Sequence, residues 1–254
     1  MCTNPAPDVE PNPCPYKRGD CGGRTSRSYD NVDLKAISID LGGHLPFAFA
    51  PSQGGFCHFL CTSLALTMPP NLTMNRAVFL DRDGTIIEQK NYLSRVEEVV
   101  VFPGAAAALG RLHRAGFSLF IVSNQSGVGR GYFTLADVEK VNEHLLRELG
   151  REGVRFKRIY IAPESPKVPS RGRKPSPQFL LDARDEFGVD LAQSYMIGDK
   201  LIDLECGRNA GVKQCVLVRT GYGADLERAS PDKLGAAVVV DDLSAAARWI
   251  LEQT

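Results

Sequence analysis

The sequence has no long apolar run. Nothing in it approaches the roughly 18 consecutive apolar residues that a membrane-spanning helix needs. It has no excess of either charge, with 30 Lys and Arg against 30 Asp and Glu. That balance argues against a protein that grips nucleic acid through a broad basic field. The first residues lack the basic start and apolar core of a secretory signal, so a cytoplasmic protein with no membrane partner is expected. Beyond residue 74 cysteine is nearly absent, with only Cys206 and Cys215, which argues against a secreted disulfide framework. What is left is a chain of 254 residues, long enough for one or two domains and a sizeable core.

Composition changes sharply near Met74. Residues 1–73 hold nine of the 16 prolines and five of the seven cysteines, Cys2, Cys14, Cys21, Cys57 and Cys61. Proline breaks both helices and central strands, so this segment is expected to be a disordered extension outside the fold. A second reading is that translation starts at Met74 and the upstream residues are not made. Cys57, His58 and Cys61 could bind zinc, with His44 as a distant fourth. Their C-H-x-x-C spacing matches none of the usual paired-ligand patterns well.

From Met74 the pattern becomes regular. Apolar, strand-like runs recur at 76–80, 117–123, 158–162, 194–198, 215–219 and 236–240. Helical candidates fill the gaps at 104–116, 134–153, 176–188, 201–211 and 242–253. Gly116 stands where a C-terminal cap belongs. Thr134, with Asp137 three residues on, resembles a capping box, and Ser176 precedes Pro177 at a first helical position. Alternation of this kind implies an α/β fold, a Rossmann-like parallel sheet with helices on both faces, over 74–254. In such sheets ligands bind beyond the carboxyl ends of the strands. Asp81, Ser123 and Asp199 each close a strand and are therefore expected to converge.

The stretch AVFLDRDGT (77–85) runs a buried-looking strand into Asp81 and Asp83. Two carboxylates there repel and lose hydration, so they need a cation, a proton or a role. A bare D-x-D-G is also a common turn. SNQSGVGRGYF (123–133) offers a hydroxyl and three glycines that let backbone fold close around a ligand, although it matches neither common phosphate-binding glycine pattern. RGRKPSP (171–177) places Arg173 and Lys174 before a helix, where they can neutralise a phosphate or simply be a solvated basic cluster. GDKLID (198–203) adds Asp199 and Asp203, either of which could be an ordinary helix cap. Taken together, four strand ends carry the parts of one reaction. Asp81 and Asp199 are hard oxygen ligands for Mg²⁺. Asp81 can attack phosphorus, and Asp83 can protonate the leaving alkoxide and later activate water. Ser123 and Lys174 can bind the phosphoryl oxygens.

FLDRDGT, SNQSG, RKP and GDKLID resemble the four motifs of the haloacid dehalogenase superfamily of phosphatases. The longer matches DRDGTI with NYL, SNQSGVGRGYFT, RKPSP and GDKLIDLECGRNAGV resemble its heptose-bisphosphate 7-phosphatase and histidinol-phosphatase branch. The resemblance covers nearly all of 74–254 and none of 1–73. It implies Asp81 as nucleophile and Asp83 as general acid/base. It implies Mg²⁺ held by the Asp81 side chain, the Asp83 carbonyl and Asp199, with Lys200 beside it. Ser123 and Lys174 would stabilise the phosphoryl group. Gln89, Lys90, Asn91, Tyr92, Asn124, Gln125, Ser126, Arg173 and Lys200 would contact the substrate, and Asp203 would support Lys174 or the metal. The branch lacks a large cap domain, and residues 85–103 are too few to form one.

Many members of the branch carry a cysteine- and histidine-rich zinc site before the Arg-Lys pair. Residues 161–175 of this chain hold neither Cys nor His, so no zinc is expected there, and Pro163, Pro166 and Pro169 are expected to shape the loop. The implied enzyme is a monomeric, Mg²⁺-dependent phosphatase acting on a small phosphorylated sugar. Alternatives from the same residues are a histidinol-phosphatase, another phosphomonoesterase, a phosphotransferase and a non-catalytic phosphate-binding module.

Overall fold

The computed structural model describes residues 75–253. The expectations made for residues 1–73 lie outside the described residues. Six strands form one sheet: β1 (Ala77–Leu80), β2 (Ser118–Asn124), β3 (Phe156–Ala162), β4 (Tyr195–Gly198), β5 (Gln214–Val218) and β6 (Val238–Val240). Their order is β3-β2-β1-β4-β5-β6, and every pairing is parallel. Each run read as a strand forms one, with ends shifted by a few residues at most.

Burial of the sheet on both faces explains why the strands read as continuous apolar runs. Alternate residues of β1 face opposite cores. Val78 and Leu80 pack with Leu109, Leu112, Val141, Leu145 and Ile250. Ala77 and Phe79 pack with Leu180, Ala183 and Leu204. The first core is closed by α1 (Ala105–Arg114), α3 (Leu135–Gly150) and α7 (Leu243–Glu252). The second is closed by α4 (Gln178–Phe187) and α5 (Leu201–Ala210). Phe79 stacks on Phe120 with ring centroids 5.1 Å apart, tying β1 to β2 through this core.

Helix ends follow local chemistry. The Thr134 hydroxyl accepts from Asp137 N–H at 3.2 Å, and Asp137 accepts from Thr134 N–H at 3.0 Å, the reciprocal capping box the spacing implied. Gly116 follows α1 at φ +88, the left-handed position that favours glycine. Two details differ from the sequence reading. Pro177, not Ser176, occupies the cap position of α4, although Ser176 Oγ still accepts from Gln178 N–H at 3.3 Å. Two short helices, α2 (Ser126–Gly129) and α6 (Gly223–Ala229), had no signal of their own. Part of the glycine-rich stretch is thus a helical turn. Gly127 packs so close to the Phe133 ring that an added Cβ would come within 2.2 Å of it, so the glycine serves packing there.

The chain runs from β1 outward to β2 and β3, then returns to place β4 on the other side of β1. That reversal opens a crevice beyond the carboxyl ends of β1 and β4, the place where open α/β sheets bind ligands. Between β1 and α1 the chain makes only isolated bridges and one short 3-10 turn (Val96–Glu98), so no cap domain is inserted there.

Candidate active site

Asp81 follows β1 directly, and its backbone N–H donates to Ile197 O of β4 at 3.0 Å, which fixes it at the crevice. Its carboxylate is 7% exposed and lies between two ammonium groups. Lys174 Nζ donates to Asp81 Oδ1 at 2.7 Å, and Lys200 Nζ lies 3.4 Å from Asp81 Oδ2. Burial alone would raise the Asp81 carboxyl. The two lysines outweigh it and bring the group down to about 2.

Lys174 is itself buried, and beyond Asp81 it donates to Val122 O at 2.7 Å and pairs with Asp203 Oδ1 at 2.7 Å. Burial opposes its charge, but Asp203 and Asp81 more than restore it and raise the ammonium above its ordinary value. Asp203 also accepts from Lys200 N–H at 3.0 Å, so it caps α5 and anchors Lys174 together. The N-cap alternative for Asp199 is therefore set aside, because Asp203 does the capping. The backbone of the Lys174 segment is pinned by Asn124, which donates to Lys174 O at 3.1 Å and accepts from Lys174 N–H at 3.0 Å.

Asp199 closes the ring. It is fully buried, accepts from Tyr222 N–H at 3.0 Å through Oδ2, and pairs with Lys200 at 2.7 Å through Oδ1. Burial first, and then the charge of Asp81, push its carboxyl up to about 7. Gly84 and Gly221, both at positive φ, let the backbone crowd this carboxylate, since an added Cβ would meet Asp199 Oδ2 at 2.2 Å and 2.1 Å respectively.

Carboxylate oxygens of Asp81, Asp199 and Asp203 all lie within 4.8 Å of one another, which places three hard donors around one point. The Lys200 ammonium already stands in as a cation there, touching Asp199 Oδ1, Asp83 O at 3.2 Å and Gln89 Oε1 at 3.2 Å as well as Asp81. The ligand set of the Asp81 and Asp199 carboxylates with the Asp83 carbonyl therefore surrounds a site that accepts positive charge, and its oxygen donors suit Mg²⁺. A metal taking this site must displace the proton from Asp199. Metal affinity is therefore expected to fall about tenfold per pH unit below about 7 and to level off above it. Calorimetric titration of Mg²⁺ across that range checks this, and a flat profile would contradict it.

The Asp83 carboxylate turns elsewhere. It accepts from Gln125 Nε2 at 2.9 Å, and Gln125 donates to the buried Ser123 Oγ at 2.7 Å. A cavity of about 200 Å³ opens above these groups. Asp81, Asp83, Lys174, Lys200 and Asp203 reach it, with Gln89, Lys90, Asn91, Tyr92, Asn124, Gln125 and Ser126 around its wall. Leu93, Phe133 and Ile202 add apolar wall that no motif flagged. Tyr92, at φ +56, meets Tyr132 edge-on at 4.6 Å.

Ser123 and Arg173 are the exceptions among the expected contacts. Neither lines the cavity: Ser123 is buried with its Oγ accepting from Gln125, and Arg173 Nη1 donates to Glu164 O at 3.1 Å. Hydrogen bonds hold the loop over 161–175. Glu164 accepts from Ser170 Oγ at 2.7 Å, Ser170 Oγ accepts from Arg173 N–H at 3.2 Å, and Pro163 O accepts from Gly129 N–H at 2.8 Å. This polar clasp between residues six and nine positions apart was not readable as a motif.

The chain is similar to known phosphatases. A family model described as HAD-hydrolase-like matches residues 172–246. The chain is 41% identical over 163 residues to a D-glycero-D-manno-heptose-1,7-bisphosphate 7-phosphatase of Chlorobaculum tepidum, covering 59% of this chain and 81% of that protein. It is 40% identical over 152 residues to the Escherichia coli K12 protein named as the β-anomer phosphatase, covering 57% and 80%. Among solved structures, the D,D-heptose 1,7-bisphosphate phosphatase of B. bronchiseptica, complexed with magnesium and phosphate, superposes with a TM-score of 0.65 at 30% identity. That match covers 70% of this chain and 99% of the other.

Proposed function

The chain belongs to the haloacid dehalogenase-like hydrolases, within the family of heptose-bisphosphate 7-phosphatases, and on that footing we propose that it removes the 7-phosphate of D-glycero-D-manno-heptose 1,7-bisphosphate through a phosphorylated Asp81. It is a phosphoric monoester hydrolase of the haloacid dehalogenase type. The observation that carries the covalent reading is the Asp81 carboxylate, ionised and aimed into the cavity between the Lys174 and Lys200 ammonium groups.

The proposed reaction gives each group a step. Lys174, Ser123 and the backbone around 123–126 hold the phosphoryl oxygens, where charge spreads in the transition state. An Asp81 oxygen attacks phosphorus as the phosphorus–oxygen bond to the sugar breaks. Asp83 gives its proton to the leaving sugar oxygen, which departs as the alcohol. Asp83 then takes a proton from water, the water attacks phosphorus, and the Asp81–phosphorus bond breaks to release phosphate. The Asp81 and Asp199 carboxylates with the Asp83 carbonyl would hold Mg²⁺, which when bound supplies charge neutralisation between nucleophile and phosphoryl group. Lys200, Gln89, Lys90, Asn91 and Tyr92 line the same cavity and would contact the substrate's hydroxyls.

In the presence of Mg²⁺, purified full-length protein is expected to hydrolyse the heptose bisphosphate with a higher kcat/KM than histidinol phosphate or heptose 7-phosphate. Phosphorus NMR is expected to show the 7-phosphate signal lost and the 1-phosphate kept. EDTA is expected to stop the reaction and Mg²⁺ to restore it. Preference for histidinol phosphate, or release of the 1-phosphate, would overturn the substrate assignment.

A further inference from the structure

The largest fully buried side chain among the described residues is a cation, Arg82, and no step of the hydrolysis uses it. It stands between Asp81 and Asp83 in the chain and is 1% exposed. A charge so deep is costly unless it is paired and its donors are satisfied. Here Nε donates to Asp83 Oδ2 at 3.0 Å, and Nη2 donates to Asp83 Oδ1 at 3.2 Å. Nη1 donates to Asn142 Oδ1 at 2.7 Å. Asn142 is itself buried, on α3, within a helix face otherwise made of Val138, Val141 and Leu145.

A filler role does not account for this arrangement. An apolar side chain fills buried space at less cost than an arginine. The loop turn is held by backbone, since Arg82 O accepts from Ile86 N–H at 3.0 Å and from Ile87 N–H at 3.2 Å. What the guanidinium adds is a two-pronged grip on one carboxylate, which the single ammonium of a lysine cannot make. Asn142 on a packed helix then fixes where the fork points. With Gln125 on the other side, each Asp83 oxygen has a donor and the carboxyl has one orientation.

We propose that Arg82, braced by Asn142, is a positioning residue that aims the Asp83 carboxyl at the leaving oxygen of the substrate. This rests on the acid/base role of Asp83 given above. A sugar alkoxide leaves poorly without a proton, whereas p-nitrophenolate leaves readily without one. Loosening Asp83 must therefore damage cleavage of an alkyl phosphate more than cleavage of an aryl phosphate. The constant kcat/KM covers the steps up to departure of the leaving group, so it isolates this effect from the later attack by water.

The test compares kcat/KM for the heptose bisphosphate, an alkyl ester at C7, with that for p-nitrophenyl phosphate. The variants are Asn142→Leu, Asn142→Asp, Arg82→Lys and Asp83→Asn, each checked by thermal melt. The alkyl-to-aryl ratio is expected to fall about tenfold in Asn142→Leu, since misplacement of a reacting group by about 1 Å is enough to cost up to ~10²-fold. A larger fall is expected in Arg82→Lys and the largest in Asp83→Asn. Asn142→Asp keeps the acceptor and is expected to keep the ratio. Adding Asn142→Leu to Asp83→Asn is expected to lower the ratio no further. If Asp83→Asn shifts the ratio while Asn142→Leu and Arg82→Lys do not, or if the losses add in the double variant, the positioning role is overturned and the acid/base role stands. If Asp83→Asn leaves the ratio unchanged, both fall. Should Arg82→Lys fail to fold, the Asn142 pair decides the matter.

Discussion

Asp81→Asn is expected to give a folded protein with no measurable phosphatase turnover. The amide has the shape of the carboxylate but not its nucleophilicity, and no other carboxylate in the cavity stands between two ammonium groups with the lowered value of Asp81. The fold is expected to survive because Lys174 keeps Asp203 at 2.7 Å as its counter-charge. Asp199 also loses a repulsive neighbour, which offsets part of the broken pair. Phosphate release and a thermal melt check both halves. Near wild-type turnover would reject Asp81 as the nucleophile, and a collapsed melt would show the carboxylate to be a structural need.

Lys174→Met is expected to lose both activity and stability. The methionine fills similar space but leaves two buried carboxylates, Asp81 and Asp203, without their shared cation. Breaking a buried pair in this way costs about 3–5 kcal/mol, a large part of the stability of an ordinary domain. The loss has a definite pH dependence. Without Lys174 the folded state holds protons on these carboxyls more tightly than the unfolded chain does. The unfolded state then binds fewer protons, so stability falls as pH rises. The deficit against wild type is therefore expected to be largest at neutral pH and to shrink toward pH ~4, where unfolded carboxyls begin to titrate. Denaturant melts at several pH values check this. A deficit that is small, or independent of pH, would mean that Lys174 is not the counter-charge that its contacts imply.

The sheet and the strand ends were legible because burial leaves a direct trace in composition. A strand covered on both faces must be apolar throughout, and AVFL, SLFIVS and YMIG are. The carboxylates that interrupt those runs stand out for the same reason. Residue chemistry and strand position therefore single out Asp81, Asp83, Ser123, Lys174 and Asp199 as candidates. The structure brings Asp81, Lys174 and Asp199 together through direct contacts and a shared cluster of oxygens.

What escaped the sequence was relation across distance. Nothing near Asn142 in the chain says that it reaches Arg82, 60 residues away. Arg82 itself reads as an ordinary polar residue between two aspartates, and only its burial shows that it matters. Asn124 was grouped with the substrate contacts, yet its firm partners are the backbone atoms of Lys174, 50 residues on. Arg173 was expected at the substrate, but the clasp with Glu164 and Ser170 holds it outside the cavity wall. The helical turn of α2 was hidden by its glycines, which are disfavoured in helices and are there for close packing against Phe133 and the 163–165 backbone. Short-range rules place single elements, whereas these features depend on which elements meet.

The covalent role of Asp81 is tested most directly by trapping the intermediate. Full-length protein would be quenched during turnover of the heptose bisphosphate and reduced with borohydride, which converts a phosphorylated aspartate to homoserine. Peptide mass spectrometry would then locate the change. The expected result is homoserine at position 81 in wild type, and none without substrate. Homoserine at another position, or none at any position while phosphate is being released, would contradict a reaction through Asp81.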